Sequence, residues 1–167
     1  MPREFDVTVS SPATVDQVHS AFGTAGYWED RFAAFDATMT LDEIGVGHDG
    51  TVRVSTTQDL RRDALPPLLA RCYPGDLEVH ATETWTPVAP GRVEGAITIR
   101  VAGAPGSGSA AAVLEPDGTG SRLRVIGAVR VGIPLVGGRV EKYLASGFAA
   151  HIPEIQDFTT DWIASRV

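Results

Sequence analysis

Apolar and polar residues along this chain follow two periods, and the changes between them mark the elements. Phe5, Val7 and Val9 alternate with Glu4, Asp6, Thr8 and Ser10, which predicts a half-buried strand that Pro12 ends. Thr14 and Gln17 form a capping box for a short helix with Val15, Val18 and Phe22 on one side. Gly23 and Gly26 break it, and a second short helix follows with Trp28, Phe32 and Phe35 on one face.

From Asp36 the period becomes two. Met39 and Leu41 open a strand that reverses at His48-Asp49-Gly50, and Val52 and Val54 alternate with Arg53 and Ser55. Residues 61–76 interrupt the alternation with Pro66-Pro67 and Pro74-Gly75 around Leu65, Leu68, Leu69 and Tyr73. It resumes through Leu77, Val79, Ala81, Glu83 and Trp85, then Val93, Ile97, Ile99 and Val101, then small residues around Ala110 to Leu114. Asp117-Gly118-Thr119-Gly120 is the last strong turn, and Leu123, Val125, Val129 and Val131 form the last strand.

The period then returns to that of a helix over residues 134–166. Leu144, Phe148, His151, Ile155, Phe158 and Trp162 recur at spacings of four and three, widened by Val140, Tyr143, Ile152 and Ile163. Lys142, Glu154, Gln156 and Asp161 fall outside that stripe. Such a helix runs roughly 45 Å, starting at Pro134 and kinked by Pro153. It needs a wide apolar surface to lie on. Hairpins between sequential strands give an antiparallel meander whose one apolar face supplies that surface. The expected class is α+β: a curved antiparallel sheet of about seven strands gripping one long C-terminal helix, with two short helices after the first strand.

Composition narrows the setting. At 167 residues, with 43% hydrophobic and 21% charged residues, a single domain over residues 1–167 is expected. The net charge of −7 argues against nucleic acid or an anionic membrane as the main partner. One cysteine, Cys72, excludes an internal disulfide. No apolar run follows Arg3 and Glu4 and no stretch is long enough to insert in a membrane, so a cytoplasmic monomer or weak homodimer is expected.

The order of elements resembles the START-like, or polyketide-cyclase (SRPBCC), superfamily with the helix-grip fold. Within it, the chain is most similar to domain-of-unknown-function family 2505, through Glu83-Thr84-Trp85 and Ile133-Pro134-Leu135-Val136-Gly137-Gly138-Arg139-Val140-Glu141-Lys142. The resemblance covers essentially the whole chain. It implies an apolar cavity between sheet and helix for lipids, sterols, polyketides or similar ligands. The superfamily holds both carriers and enzymes, so the fold does not choose between them.

His151 and Glu83 carry the candidate chemistry. His151 sits on the apolar stripe beside Pro153, where a neutral imidazole either faces a cavity as ligand contact or general base, or bonds a carbonyl freed by the kink. Glu83 shares parity with Val79, Ala81 and Trp85, the clearest ionisable residue on an inward strand face, unless a bulge or an arginine removes it. Trp85, Gln58, Phe148, Leu144, Ile155 and Tyr143 complete the expected ligand contacts, with Thr56 as a further inward polar position; Glu43 shares the parity of Met39 and Leu41 but nears a turn, where such a residue is more often solvated. Residues 61–76 are either a cover over a cavity mouth or a short helix on the sheet edge. No metal-ligand spacing, Gly-x-Ser-x-Gly elbow or phosphate cradle occurs, so neither metal nor cofactor is expected. Arg53, Arg100, Arg124 and Arg130 stud the outer sheet face, which is either simply solvated or a docking surface. The leading expectation is a carrier of a hydrophobic small molecule. The alternatives are a cyclase or dehydratase using His151 or Glu83 on a polyketide-like substrate, and a protein-interaction module.

Overall fold

In the computed structural model, which describes residues 2–36, 38–60, 67–72 and 75–166, each period change becomes an element boundary. Strand β1 (Arg3–Ser11) leads to helices α1 (Val15–Phe22) and α2 (Ala25–Phe35). Strands β2 (Met39–Val46) and β3 (Val52–Leu60) follow, then a short helix α3 (Pro67–Cys72). Strands β4 (Leu77–Ala89), β5 (Arg92–Ala102), β6 (Gly106–Asp117) and β7 (Gly120–Val131) continue the meander, and α4 (Gly137–Ala164) ends it. All seven strands form one antiparallel sheet in the order β1-β7-β6-β5-β4-β3-β2.

The predicted capping box is present: Gln17 N–H donates to the Thr14 hydroxyl oxygen, and Thr14 N–H to Gln17 Oε1. Helices α1 and α2 cover one end of the sheet with Phe22, Tyr27 and Trp28, all buried. Trp28 Nε1 donates to the Phe22 carbonyl at 2.8 Å, so the indole is buried without an unpaired donor. Two glycines let aromatic rings lie flat on the strands. A Cβ on Gly95 would stand 2.6 Å from the Trp85 ring, and one on Gly127 would overlap the ring of Phe5.

Helix α4 lies on the sheet in a different rotation from the one its apolar stripe predicts. Its closest packing is on β1 and β7, and its buried face carries Val140, Glu141, Ala145, Gln156, Thr159 and Ile163. Leu144, Phe148, His151, Ile155, Phe158 and Trp162 are only half-buried. At 100° per residue the two faces are turned apart by roughly a quarter turn. Gln156, expected outside, is 1% exposed, and Tyr143, expected to widen the stripe, is 46% exposed on the opposite side. The seam favours short side chains and hydroxyls because a helix approaches strands closely only there. The hydroxyls are satisfied: Thr159 donates to the Ile155 carbonyl and receives Tyr27 OH at 2.5 Å, and Thr160 donates to the Gln156 carbonyl and receives Ser11 Oγ at 2.7 Å.

Three further expectations change. A bulge between Leu41 and Glu43 reverses the parity of β2, so Glu43 is exposed and Ile44 points inward. The helix begins at Gly137 rather than Pro134, and it continues as one element through Pro153. Before it, Val136 N–H donates to the Pro134 carbonyl at 2.9 Å across Leu135, whose φ is +72°. That is a three-residue turn of the rare left-handed kind, costing a leucine about 1–2 kcal/mol. Of the 61–76 segment, residues 61–66 and 73–74 lie outside the described residues. Pro67–Cys72 is helical, and Ala70 packs against the cluster of Leu77, Val129, Val131 and Val140.

Glycine substitutions test this packing. Gly95→Ala and Gly127→Ala should each lose about 1–3 kcal/mol in urea unfolding through overpacking. Gly147→Ala, in the exposed middle of α4 with nothing within 4 Å of a new Cβ, should gain about 0.5–1 kcal/mol.

Candidate functional site

The inward side chains of the sheet form rows that cross it from strand to strand. Nearest α1, the row Val52, Trp85, Gly95, Ala112 and Val125 is completely buried. The next row runs Ile44, Val54, Glu83, Ile97, Ala110, Gly127 and Phe5. Beyond it come Thr56, Ala81, Ile99 and Gly108, and then Met39, Gln58, Val79 and Val101. In these outer rows Glu83, Ile97, Ala81, Ile99, Val79 and Val101 keep solvent-reachable surface although they face inward. Leu144, Phe148, Ile155 and Phe158 on α4 do too. The concave face therefore has a fully buried half under α1 and α2 and a second half that is only partly buried, where Phe148 of α4 packs on Phe5 with ring centroids 5.9 Å apart. Small residues on the inner face, Ala81, Gly108 and Ala110, deepen that second half.

Polar groups on this face are few and lie on one side. Thr56, Gln58 and Glu83 come from β3 and β4, whereas β5, β6 and β1 contribute Ile97, Ile99, Val101, Ala110 and Phe5. Among the described residues Glu83 is the one carboxylate with inward parity on the sheet. Trp85 Nε1 donates to its Oε1 at 3.1 Å, and no bond to Oε2 occurs among the described residues. Trp85 itself is 3% exposed, with its ring 4.8 Å from that of Phe22. It belongs to the fully buried half, and its contribution to the partly buried half is to orient Glu83. A carboxylate fixed in this way accepts a hydrogen bond from a hydroxyl or amine on anything lying over it.

His151 is placed at the rim. Its ring meets Phe35 edge-on, with centroids 5.0 Å apart, and its Nδ1 lies 3.4 Å from Glu154 Oε2. The expected bond to a carbonyl freed by Pro153 is replaced by this exposed glutamate. Phe35 also touches Phe158 at 5.6 Å, so two phenyl rings and the imidazole form one exposed-to-buried aromatic step. Gln58 Nε2 donates to the Asp36 carboxylate, tying the end of α2 to β3 beside that step. Tyr143, also among the expected contacts, points away from the sheet on the far side of α4.

Several buried polar residues escaped the sequence reading, Gln156, Thr159 and Glu141 among them. Glu141 is 5% exposed, and its Oε2 accepts the Val131 backbone N–H at 2.9 Å. It ends a strand rather than serving the concave face. An open groove of about 910 Å³ lies beside it at the start of α4, lined by Arg3, Arg130, Gly137 and Gly138 among others. The signal was its place four residues before Ala145, on the seam rather than the stripe.

The outer face is occupied by ion pairs. Arg124 binds Asp6 in two-pronged fashion and holds its carboxyl below the usual range, and Glu115 is lowered likewise by Arg122. Pairs this exposed contribute little to stability. Among the described residues no group of three His, Cys, Asp or Glu side chains is placed to hold a metal, and no helix is long and apolar enough to cross a membrane.

The profile of the family described as "Protein of unknown function (DUF2505)" matches residues 6–163. An uncharacterised protein of Mycobacterium tuberculosis strain H37Rv, Rv0481c, is 36% identical over the full length of both chains. Solved structures with the same fold include TTHA0849 of Thermus thermophilus (TM-score 0.61, 13% identity, 98% of this chain and 99% of that one). A norcoclaurine synthase mutant bound to a transition-state analogue (0.55, 12%, 99% and 96%) and the protein Ara h 8.0201 (0.51, 13%, 99% and 99%) share it too. These are helix-grip proteins, and at such identities the likeness is one of fold.

The Trp85–Glu83 bond gives a test at this stage. Glu83→Gln keeps an acceptor for the indole N–H, and its thermal midpoint should stay within about 2 °C of wild type. Glu83→Ala should cost about 1–3 kcal/mol by chemical denaturation, because it leaves a buried donor unpaired.

Proposed function

The chain belongs to the DUF2505 family, and we propose that it binds a hydrophobic small molecule between the sheet and α4. One observation carries this reading. The apolar stripe of α4 is turned off its own seam and faces an inner sheet surface that is apolar and only half-buried. Water against two such surfaces is displaced favourably by an apolar guest, at roughly 25 cal/mol per Å² covered. The ligand lies with its body against Ile97, Ile99, Val101 and Phe148. A hydroxyl, carbonyl or amine on it turns towards Gln58 and Glu83. Leu144 and Ile155 line the helix side, and His151 stands at the entrance with Phe35. Carriage of a lipid-, sterol- or polyketide-like molecule needs no more than this.

A second reading, an acid–base enzyme of the cyclase or dehydratase type, is favoured by one feature: Glu83 is an oriented carboxylate on an otherwise apolar wall. Proton transfer by Glu83, with His151 as its partner across a polyketide-like substrate, needs both side chains in reach of one bound molecule.

Native mass spectrometry of the purified protein, with solvent extraction, reads any co-purified ligand directly. With an apolar fluorescent probe, one site per chain is expected. Ala81→Phe and Ala110→Phe, which fill the inner rows, should weaken probe binding by about tenfold or more with the fold retained, and Tyr143→Ala should not. Probe binding unaffected by both phenylalanines would refute the site. If Glu83→Gln keeps binding but abolishes turnover of a bound substrate, the enzyme reading replaces carriage.

A further inference from the structure

Leu135 is the most exposed large apolar residue described, at 102% of its reference surface, and it sits at φ +72° in the turn before α4. Single exposed leucines are ordinary. A leucine kept in a left-handed turn, where glycine or asparagine is unstrained, is not explained by packing or by backbone preference. Its surroundings add charge. Arg130 and Arg3 line the groove beside the turn, and Arg139 and Lys142 stand exposed on the first turns of α4. Within the groove's lining the acids are Glu4 and the buried Glu141, and Asp76 precedes Leu77, which packs with Val131 and Val140 at this end. The chain carries a net charge of −7, so this end is positive against the sign of the whole. Tyr143, exposed on the same stretch of α4, is amphipathic in the way that suits a lipid–water boundary.

We infer that this end docks on the surface of an anionic lipid bilayer, with Leu135 entering the headgroup boundary and the arginines and lysine facing lipid phosphates. The charge selects this occupant. A second copy of the chain would bring two sets of like charges together, whereas anionic headgroups neutralise them. The apolar prong alone is too small for stable anchoring, so binding is reversible and salt-sensitive. This inference stands apart from the concave site: either can fail without the other.

Vesicle co-sedimentation with the full chain tests it. Wild type should partition at least about fivefold better onto vesicles containing phosphatidylglycerol than onto pure phosphatidylcholine, and salt should reverse this. Leu135→Gly removes the prong and the strain together. Its binding should fall several-fold while its thermal midpoint rises by roughly 2–6 °C, a combination unfolding cannot produce. Lys142→Glu, on an exposed helical face, should weaken anionic binding without changing the midpoint. Equal partition onto both vesicle types would overturn the inference. So would wild-type binding by Leu135→Gly, or Leu135-dependent self-association or protein capture without vesicle binding.

Discussion

The fit of α4 on β1 and β7 is the constraint on which the other features depend. Ala145, Thr159 and the buried Gln156 let the helix sit low against two strands, and Tyr27 and Ser11 tie it there through the Thr159 and Thr160 hydroxyls. A helix fixed at that edge cannot also follow the sheet across to β3 and β4. Its larger side chains, Leu144, Phe148, Ile155 and Phe158, are left only half-buried, although Phe148 meets Phe5 and Phe158 meets Tyr27 and Phe35. Burying them further would take bulk at Ala81, Gly108 or Ala110, where the sequence has small residues. On the proposed reading an apolar guest would supply the dispersion contacts that these half-buried side chains lack.

How far this was legible in the sequence depends on what kind of signal each element leaves. Strand alternation, the Thr14–Gln17 cap and the long final helix are repeated local patterns, and each appears where its period places it. The exception in β2 is the bulge after Leu41, a single extra residue that no periodic reading detects and that puts Glu43 outside and Ile44 inside. The rotation of α4 was hidden for a different reason. A hydrophobic stripe shows which face is apolar, and the seam here is chosen by size and hydroxyl pairing, so Gln156 falls outside the stripe and nothing in it marks Thr159 or Glu141 as buried. Large apolar residues on the non-seam face were the available hint.

The candidate residues divide along the same line. Glu83 has the inward position its parity gives it, because β4 is regular through that segment. What parity cannot supply is the partner: Trp85, two residues on and on the same face, turns its N–H back onto the carboxylate because its ring is held over Gly95 and beneath Phe22. His151 is located by helix phase, but its surroundings come from α2, and no pattern in α4 foretells Phe35.

On the proposed reading, one carboxylate standing on an apolar wall bears on what would enter. An ionised group that is only half-buried keeps water beside it, which opposes a guest that is apolar throughout. The indole N–H satisfies only Oε1. A guest that covers Oε2 without donating to it would leave a charge partly desolvated, so selection falls on molecules with a donor at one edge and an apolar body beyond it. Thr56 and Gln58 lie on the same side of the sheet, and among the described residues the inward positions of β5 facing them are Ile97, Ile99 and Val101. On that reading the asymmetry of the wall would discriminate by orientation: the same molecule entered end for end would strip water from Glu83 and place its own polar group against Ile99 and Val101.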